Sequence, residues 1–560
     1  MARIYELKIN NFRGIKTFLH KFDCKFICLL GRGDSGKTTI LDAISFVLSP
    51  SWNLSFYDND FYYGNADNSI EIEASLRDLP EKLIMEERYG LYIRGLDNSG
   101  DIQDELQEGH EKILTIKLEV KKDLEPQWYV VNKRQEPKPI SAPDRAKLNV
   151  FMVSDYVDRH FSWSRGNPLY SILKENQSAG DEKSDVIIEA LREAKCKIDQ
   201  NSFNQFSDVT DRLKKVSSNL GIDLSGARTT VDFKDVAIKD GRVCLHDGDV
   251  PLRLKGKGTK RLISMAIQTV LVEYGGIILI DEIEQGLEPD RVKHLVRSFK
   301  KENAGQIFVT THSSEVITEL EADDLIIVNN NSGNVTITAP DQNFQDVIRA
   351  CPEAGYAKKV IVCEGKTEIG ICRALDTYRK MNHKEYMSFK DCVYTLGGGH
   401  SFTDRAMKLK KLGKNVCVLC DSDDSNLTPT KEDLKKADIK IFDCDNNNAI
   451  ENQVFQDLPW DGVKKLLEYV IKDKSIEEKQ LKDAIKSKYE DGAFPDDFKN
   501  TDTIEMRRAF GNTSLIKDKE WFKRIDHGEF LGSIVFEFID QMKDKKLKEQ
   551  LEDLSNWIDE

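Results

Sequence analysis

A chain of 560 residues is too long for a single hydrophobic core, and two to four domains are expected. Its composition, 39% hydrophobic and 32% charged, excludes a disordered chain, and no apolar run is long enough to span a bilayer. A net charge of −14 argues against indiscriminate coating of nucleic acid, yet leaves room for a local basic groove or bound cations that meet DNA. No charged-then-apolar leader opens the chain, so the reduced cytoplasm is the expected compartment and no membrane partner is expected.

The first strong signal is Gly31-Arg-Gly-Asp-Ser-Gly36-Lys37-Thr38, a match to the phosphate-binding loop G-x-x-x-x-G-K-S/T. Before it, Lys25 to Leu30 is an apolar run suited to a buried strand. After it, Ile40, Leu41, Ile44 and Val47 recur at helical spacing. Strand, glycine loop and helix is the context the motif requires. The loop positions Gly31, Gly33, Asp34, Ser35 and Gly36, with Thr39 behind them, would surround ATP phosphates with backbone N–H groups at a helix N-terminus. Lys37 would reach the β- and γ-phosphates, and the Thr38 hydroxyl would ligate Mg²⁺.

Residues 68–75 and 113–121 cluster apolar residues as antiparallel strands do. Lys133, Arg134, Lys138, Arg145 and Lys147 form a loose basic stretch, either a solvated loop or a DNA track. From Asp185 to Leu220 the periodicity turns helical, with Ile187, Ile188, Leu191, Phe206, Val209 and Leu213 among the stripe. Such a stripe either buries against its own chain or serves self-association.

Gly256 and Gly258 precede the apolar-periodic run that starts at Leu262, a glycine loop feeding a helix and a further anion-binding candidate. The run Ile277–Ile280 reads straight through as a strand buried on both faces, and it ends in Asp281-Glu282. Carboxylates at that end of a parallel strand sit where ligands bind. Asp281 suits the Mg²⁺ shell and Glu282 suits orienting the attacking water. One strand later, Gln306 to Thr311 ends in His312, placed to contact the γ-phosphate.

After a turn-rich stretch from Asn329 to Gly333 the chain restarts. Lys359 to Cys363 is an apolar strand that ends in Glu364-Gly365, and Val393 to Leu396 ends in three glycines. Val416 to Cys420 ends in Asp421-Ser422-Asp423. Cys417 and Cys420 form a C-x-x-C, but inside this apolar run they read as buried thiols rather than zinc ligands. Strand–helix alternation implies a small parallel sheet with its carboxylates at one edge. Asp421 and Asp423 can aim at one ion, and Glu364 completes an all-oxygen cage that favours Mg²⁺ or Mn²⁺ over zinc. Arg405, Lys408, Lys410, Lys411 and Lys414 are candidates for holding DNA, or a solvated helix face.

The order of these parts resembles a family. Asn11-Phe12-Arg13-Gly14, the phosphate loop, a long insertion, Gly256 and Gly258, Asp281-Glu282, Glu288-Pro289-Asp290 and Thr311-His312-Ser313 look like an ABC-type ATPase head of the SMC, RecF and OLD (overcoming lysogenization defect) variety. Glu364 with Asp421 and Asp423 looks like a TOPRIM domain, and head plus TOPRIM is the OLD nuclease architecture. The resemblance implies an α/β chain: head at 1–180, inserted helical dimerisation arm at 181–225, head again at 226–345, and a Rossmann-like TOPRIM domain with a helical extension at 346–560. It makes Arg13 a nucleotide contact, puts Gly256 and Gly258 at the signature position, and adds Asp60 to the Mg²⁺ site. The signature is not the LSGGQ of transporters, and no glutamine loop is evident. The resemblance also adds Glu368 and Glu451 to the metal ligands of Glu364, Asp421 and Asp423, and calls for a catalytic lysine, Lys523, with Lys519 as the alternative. Ser422 would assist at the metal edge.

The implied activity is ATP-regulated, Mg²⁺- or Mn²⁺-dependent DNA cleavage by a dimer or tetramer in prokaryotic anti-phage defence. Partners implied are a UvrD-like helicase, as in Gabija, or a retron reverse transcriptase with its DNA–RNA hybrid. The rival readings are an SMC- or RecF-like structural ATPase whose TOPRIM part only binds DNA, and a topoisomerase-like enzyme.

Overall fold

Phe26–Leu30, the strand before the phosphate loop, is buried at every residue and lies inside a large sheet rather than at its edge. The computed structural model describes residues 2–560 except 154–159, 164–166, 170–171, 173–203, 233–241, 274–275, 302–304, 384–387, 423–428, 446, 474–476 and 491. The chain divides into two compact units, Met1–Asn343 and Phe344–Glu560.

In the first unit, Val150–Val153, Ile277–Ile280, Gln306–Thr310, Phe26–Leu30 and Leu325–Asn331 run parallel, in that order. Their interiors are mostly Val, Ile, Leu and Phe, as expected where both sheet faces are covered. The sheet then continues as a wing that is antiparallel except where Asn334–Thr338 meets Ile15–Lys21 in parallel. Leu325–Asn331 turns back into Asn334–Thr338, which meets Ile15–Lys21; that strand pairs with Arg3–Phe12, and Ile70–Arg77, Glu111–Val120 and Pro126–Asn132 follow. The turn-rich run from Asn329 to Gly333 ends one strand of this sheet and forms the tip of its hairpin, with Gly333 at φ 88°.

Helix Lys37–Val47 packs Ile40, Leu41, Ala43, Ile44 and Val47 into the core, each contributing about 1–3 kcal/mol of apolar burial. Of the stripe expected to self-associate, residues 185–203 lie outside the described residues. The rest forms helix Asn204–Asn219, whose Phe206, Val209 and Leu213 are buried within this unit; Phe206 lies against Trp163 at 4.4 Å between ring centroids.

The second unit is built on a four-stranded parallel sheet in the order Cys392–Leu396, Lys359–Cys363, Asn415–Cys420, Lys440–Asp443. Helix Lys366–His383 crosses helix Ile525–Glu537 backbone to backbone. A Cβ on Gly370 would lie 2.3 Å from Glu529 N, and one on Gly528 would lie 2.8 Å from Thr367 O. No larger residue fits at either position. The crossing holds the segment just before the second helix, Trp521 to Arg524, beside the start of the first. Trp521 and Phe522 are buried against Phe455, at 6.0 and 6.4 Å between centroids, and so fix the position of Lys523.

Candidate functional site

The phosphate loop is shaped as its motif requires. Gly36, at φ 96°, caps helix Lys37–Val47, and Asp34 takes φ 62°. A Cβ on Gly31 would lie 2.6 Å from both Ser35 Oγ and Val328 O. Lys37 is buried, and its ammonium donates to Gly31 O and Arg32 O, each at 2.8 Å. Burial lowers its pKa, while Asp281 and Glu282 oppose the shift. A lysine already turned along the loop, with carboxylates near, is arranged to meet phosphate oxygens. Thr39 follows Thr38 in the first turn of the helix, and Gly33 is exposed at the loop's tip.

Thr38 Oγ1 donates to the Asp281 carboxylate, 3.1 Å from each oxygen. Thr310 Oγ1 donates to Asp281 Oδ1 at 2.6 Å and accepts from Glu282 N at 2.8 Å. Glu282 takes a left-handed backbone, φ 47°, and its side chain is exposed. Thr38 and Asp281, both named for the nucleotide site, therefore meet at one strand end, and Thr310 ties the Glu282 backbone to Asp281 there. His312 ends the adjacent strand with an exposed side chain, its N–H held by Glu284 Oε1 at 2.6 Å.

Gly256 has open space around its Cα, whereas Gly258 touches another backbone: a Cβ there would lie 2.3 Å from Gly286 O. Gly258 thus has a reason to be glycine inside its own chain. Arg13 Nε donates to Asp60 Oδ1 at 2.8 Å, and Arg13 also pairs with Asp42. Asp60 Oδ2 accepts from Tyr57 N at 3.0 Å. Both Asp60 oxygens are engaged away from Thr38 and Asp281. Asp42, Thr310 and Glu284 are part of this region although no motif marks them.

In the second unit two strand ends and two helix starts bring four carboxylates together. Glu364 Oε2 accepts from Asp421 N at 3.0 Å, and Asp421 Oδ1 accepts from Ile450 N at 2.7 Å. Glu368, in the first turn of its helix, accepts from Gly365 N at 2.8 Å. Glu451, wholly buried, accepts from Thr367 Oγ1 at 2.9 Å and pairs with Lys523 Nζ at 3.5 Å. A cavity of about 300 Å³ is lined by Glu364, Glu368, Asp421 and Lys523 with Gly365, Gly398 and Gly399. Asp423 lies outside the described residues. Ser422 Oγ donates to backbone carbonyls of Asp445 and Asn448 at 3.3 and 3.2 Å.

The electrostatics match this crowding. Burial, then Glu451 and Glu364, push Glu368 up to about 7, with Lys523 opposing. Burial, then Glu368, Glu451 and Glu364, push Asp421 up to about 8, again against Lys523. Burial would lower Lys523, but Glu451, Glu368 and Asp421 outweigh it and hold the ammonium charged. Glu368 Oε1 and Glu451 Oε2 are buried without a hydrogen-bond partner. Such atoms are costly to leave unmatched, and hard oxygen donors of this kind fit a divalent cation. Among the described residues, however, no three Asp, Glu, His or Cys side chains are grouped tightly enough to enclose an ion by themselves.

Most of the candidate DNA contacts have partners within the chain. Lys414 is buried, donates to Ala357 O at 2.9 Å and is pushed down to about 8 by burial. Lys408 pairs with Asp346 and Asp404, Lys410 pairs with Asp438, and Arg405 donates to Leu396 O. Lys411 remains exposed. In the first unit Arg145 is buried, Lys147 pairs with Asp144, Lys133 with Asp104, and Lys138 donates to Arg88 O. Cys417 and Cys420 are buried free thiols. None of the described helices is long and apolar enough to cross a membrane.

Residues 26–318 match the family model described as "AAA domain, putative AbiEii toxin, Type IV TA system". Residues 356–423 match "Overcoming lysogenization defect protein-like, TOPRIM domain". The chain is thus a P-loop ATPase followed by a TOPRIM domain, a pairing that implies use of a nucleotide and of a divalent metal. The first match takes in more than half of the chain, which belongs to that AAA family, and its second domain is similar to the TOPRIM domain of overcoming lysogenization defect proteins. No curated protein matches it.

Similar solved structures include the SMC head domain from Thermotoga maritima, at 16% identity over 60% of this chain and 99% of that one, TM-score 0.30. They also include the Smc head domain with an extended coiled coil bound to the C-terminal domain of ScpA derived from Pyrococcus furiosus, at 14% identity over 62% and 98%, TM-score 0.38. At such scores these likenesses carry no weight for function.

Proposed function

We propose that this protein is an ATP-hydrolysing DNA endonuclease that depends on Mg²⁺ or Mn²⁺ and acts as an effector of prokaryotic anti-phage defence. The observation that carries the nuclease reading is the buried acid cluster with two unmatched oxygens, Glu368 Oε1 and Glu451 Oε2, beside a charged Lys523. Glu364, Glu368, Asp421 and Glu451, with Asp423, would hold one or two divalent ions. When bound, such ions supply an activated water and neutralise charge on the departing oxygen. The chain's own part is to fix the ligands: Ile450 N holds Asp421, Thr367 holds Glu451, and Lys523 keeps a positive charge where the scissile phosphate would lie.

In the ATPase unit, Lys37 and the loop amides would hold the β- and γ-phosphates, while Thr38 and Asp281 share the Mg²⁺ site. Glu282 would orient water, and His312 would approach the γ-phosphate. A dimer or tetramer, joined by the inserted segment, follows from the ABC-type reading; Arg13, Asp60, Gly256 and Gly258 belong to that proposal. A UvrD-like helicase or a reverse transcriptase with its hybrid is a partner on resemblance alone.

Supercoiled plasmid incubated with pure protein tests the proposal. Nicking or linearisation is expected with Mg²⁺ or Mn²⁺ and none in EDTA. A structural ATPase that binds DNA without cutting is the second reading, favoured by the absence of a closed three-donor group among the described residues. Tight DNA binding with no cleavage in either metal would select it.

A further inference from the structure

We infer that Arg261 is a positioning residue for ATP hydrolysis, which holds the Asp281–Glu282 turn in the backbone form that aims Glu282. The inference rests on the proposed role of Glu282 and adds the residue that sets its geometry.

Arg261 stands one turn into helix Lys257–Glu273 and is buried. Its guanidinium reaches the strand that carries the acids. Nη2 donates to Glu282 O at 2.9 Å and to Asp281 O, and Nη1 donates to Gln285 Oε1. A planar fork with several fixed donors suits consecutive carbonyls in a way that one ammonium does not. Glu282 needs such support because its φ of 47° is a left-handed conformation that a glutamate rarely adopts. Backbone of this kind persists only where its surroundings determine it, and it gathers at functional sites.

The surroundings here are named groups. Thr310 Oγ1 accepts from Glu282 N at 2.8 Å, Thr310 O accepts from Ile283 N at 3.0 Å, and Glu282 O accepts from Gln285 N at 2.9 Å. The two Glu282 backbone groups are thus gripped from opposite sides, N–H by Thr310 and C=O by Arg261. The same helix start touches the turn again, since Gly258 lies 3.8 Å from the position of a Cβ on Gly286. The first turn of helix Lys257–Glu273 and the turn after the acids therefore form one block. Without Arg261, both carbonyls lose a charged donor and the left-handed residue is free to relax, which turns the Glu282 carboxylate away from its water.

The test is the ATPase activity of the full chain with Arg261→Lys and Arg261→Met, alone and with Glu282→Gln. Nucleotide affinity, read with a fluorescent ATP analogue, should stay within about threefold, because the phosphate loop is untouched. The kcat should fall roughly 10–100-fold, the scale set by a small misplacement of a reacting group. Arg261→Lys keeps charge and stem, so it remains informative if Arg261→Met does not fold. Arg261→Lys combined with Glu282→Gln should turn over no more slowly than Glu282→Gln alone. Unchanged kcat in folded Arg261→Lys, or a further full-sized loss in the double variant, overturns the inference. Wild-type turnover by Glu282→Gln would instead overturn the assignment of Glu282, a separate outcome.

Discussion

Thr367 donates its hydroxyl to Glu451 Oε1 at 2.9 Å, although the two residues are 84 apart in the chain. The same hydroxyl lies 3.1 Å from Phe522 O, one residue before Lys523. One buried side chain thus ties together a helix start, an acid and the segment that carries the lysine. Thr367→Val should keep the volume and lose the donor. Leaving Glu451 Oε1 with less support is expected to destabilise the second unit by about 1–3 kcal/mol and to weaken Mn²⁺ binding. Chemical unfolding and Mn²⁺ titration of Thr367→Val and Thr367→Ser check this, with Thr367→Ser close to wild type.

The acid cluster sets a pH dependence. Glu368 rises from 4.5 to about 7 and Asp421 from 3.8 to about 8, so the folded chain binds protons that the unfolded chain has already released. Metal-free stability should fall as pH rises from about 4 to about 8. Glu364, Glu451, Cys444 and Lys523 face these groups, Lys431 Nζ donates to Asp421 O at 2.8 Å, and Lys523 is the cation that most favours their ionised forms. A divalent ion competes with the same protons, so its affinity should rise over that window, by about tenfold per unit for each proton displaced. Calorimetry in buffers of different ionisation enthalpy measures the protons released. A flat profile would contradict the shared site.

Lys523→Met removes the cation that most opposes this shift. Asp421 and Glu368 should then hold their protons to higher pH, and the midpoint of any metal-dependent cleavage should move alkaline by about one unit. A pH–rate profile of the variant against the parent decides it; a lower rate at every pH with the same midpoint would assign Lys523 to substrate contact alone.

Much of this was legible locally. The phosphate loop and the three acid-ending strands show themselves because central parallel strands are continuous apolar runs, and each ends in the residue that matters. Glu364 and Asp421 could be read in this way. The contacts of Arg261, Thr310 and Thr367 could not, because a carbonyl clamp or a buried hydroxyl leaves no periodic trace. Thr310 stands within a run that the sequence marks, and Arg261 and Thr367 stand beside one, yet only folding gives them partners. The basic stretches left two readings open for a related reason: spacing shows charge, not the aspartates that Lys408 and Lys410 find in three dimensions. The stretch around Gly333 reads only as turn-rich, because turn residues look the same in a hairpin as in a loop.

In the ATPase unit, Glu282→Gln keeps the left-handed backbone and its hydrogen bonds while losing the charge. ATP binding should persist and kcat should fall by about 100-fold or more. Lys37→Ala should instead abolish binding, because the loop loses its only buried ammonium among the described residues. Filter binding and phosphate release separate the two.

The central claim is that the carboxylates at the strand ends of the second unit cut DNA. Asp421→Asn tests it most directly, since the amide oxygen can still accept from Ile450 N while the charge is gone. With Mg²⁺ or Mn²⁺ present, plasmid cleavage should fall to background while ATP hydrolysis stays near the parent's rate. Folded Asp421→Asn protein that cuts plasmid as fast as the parent would contradict the account.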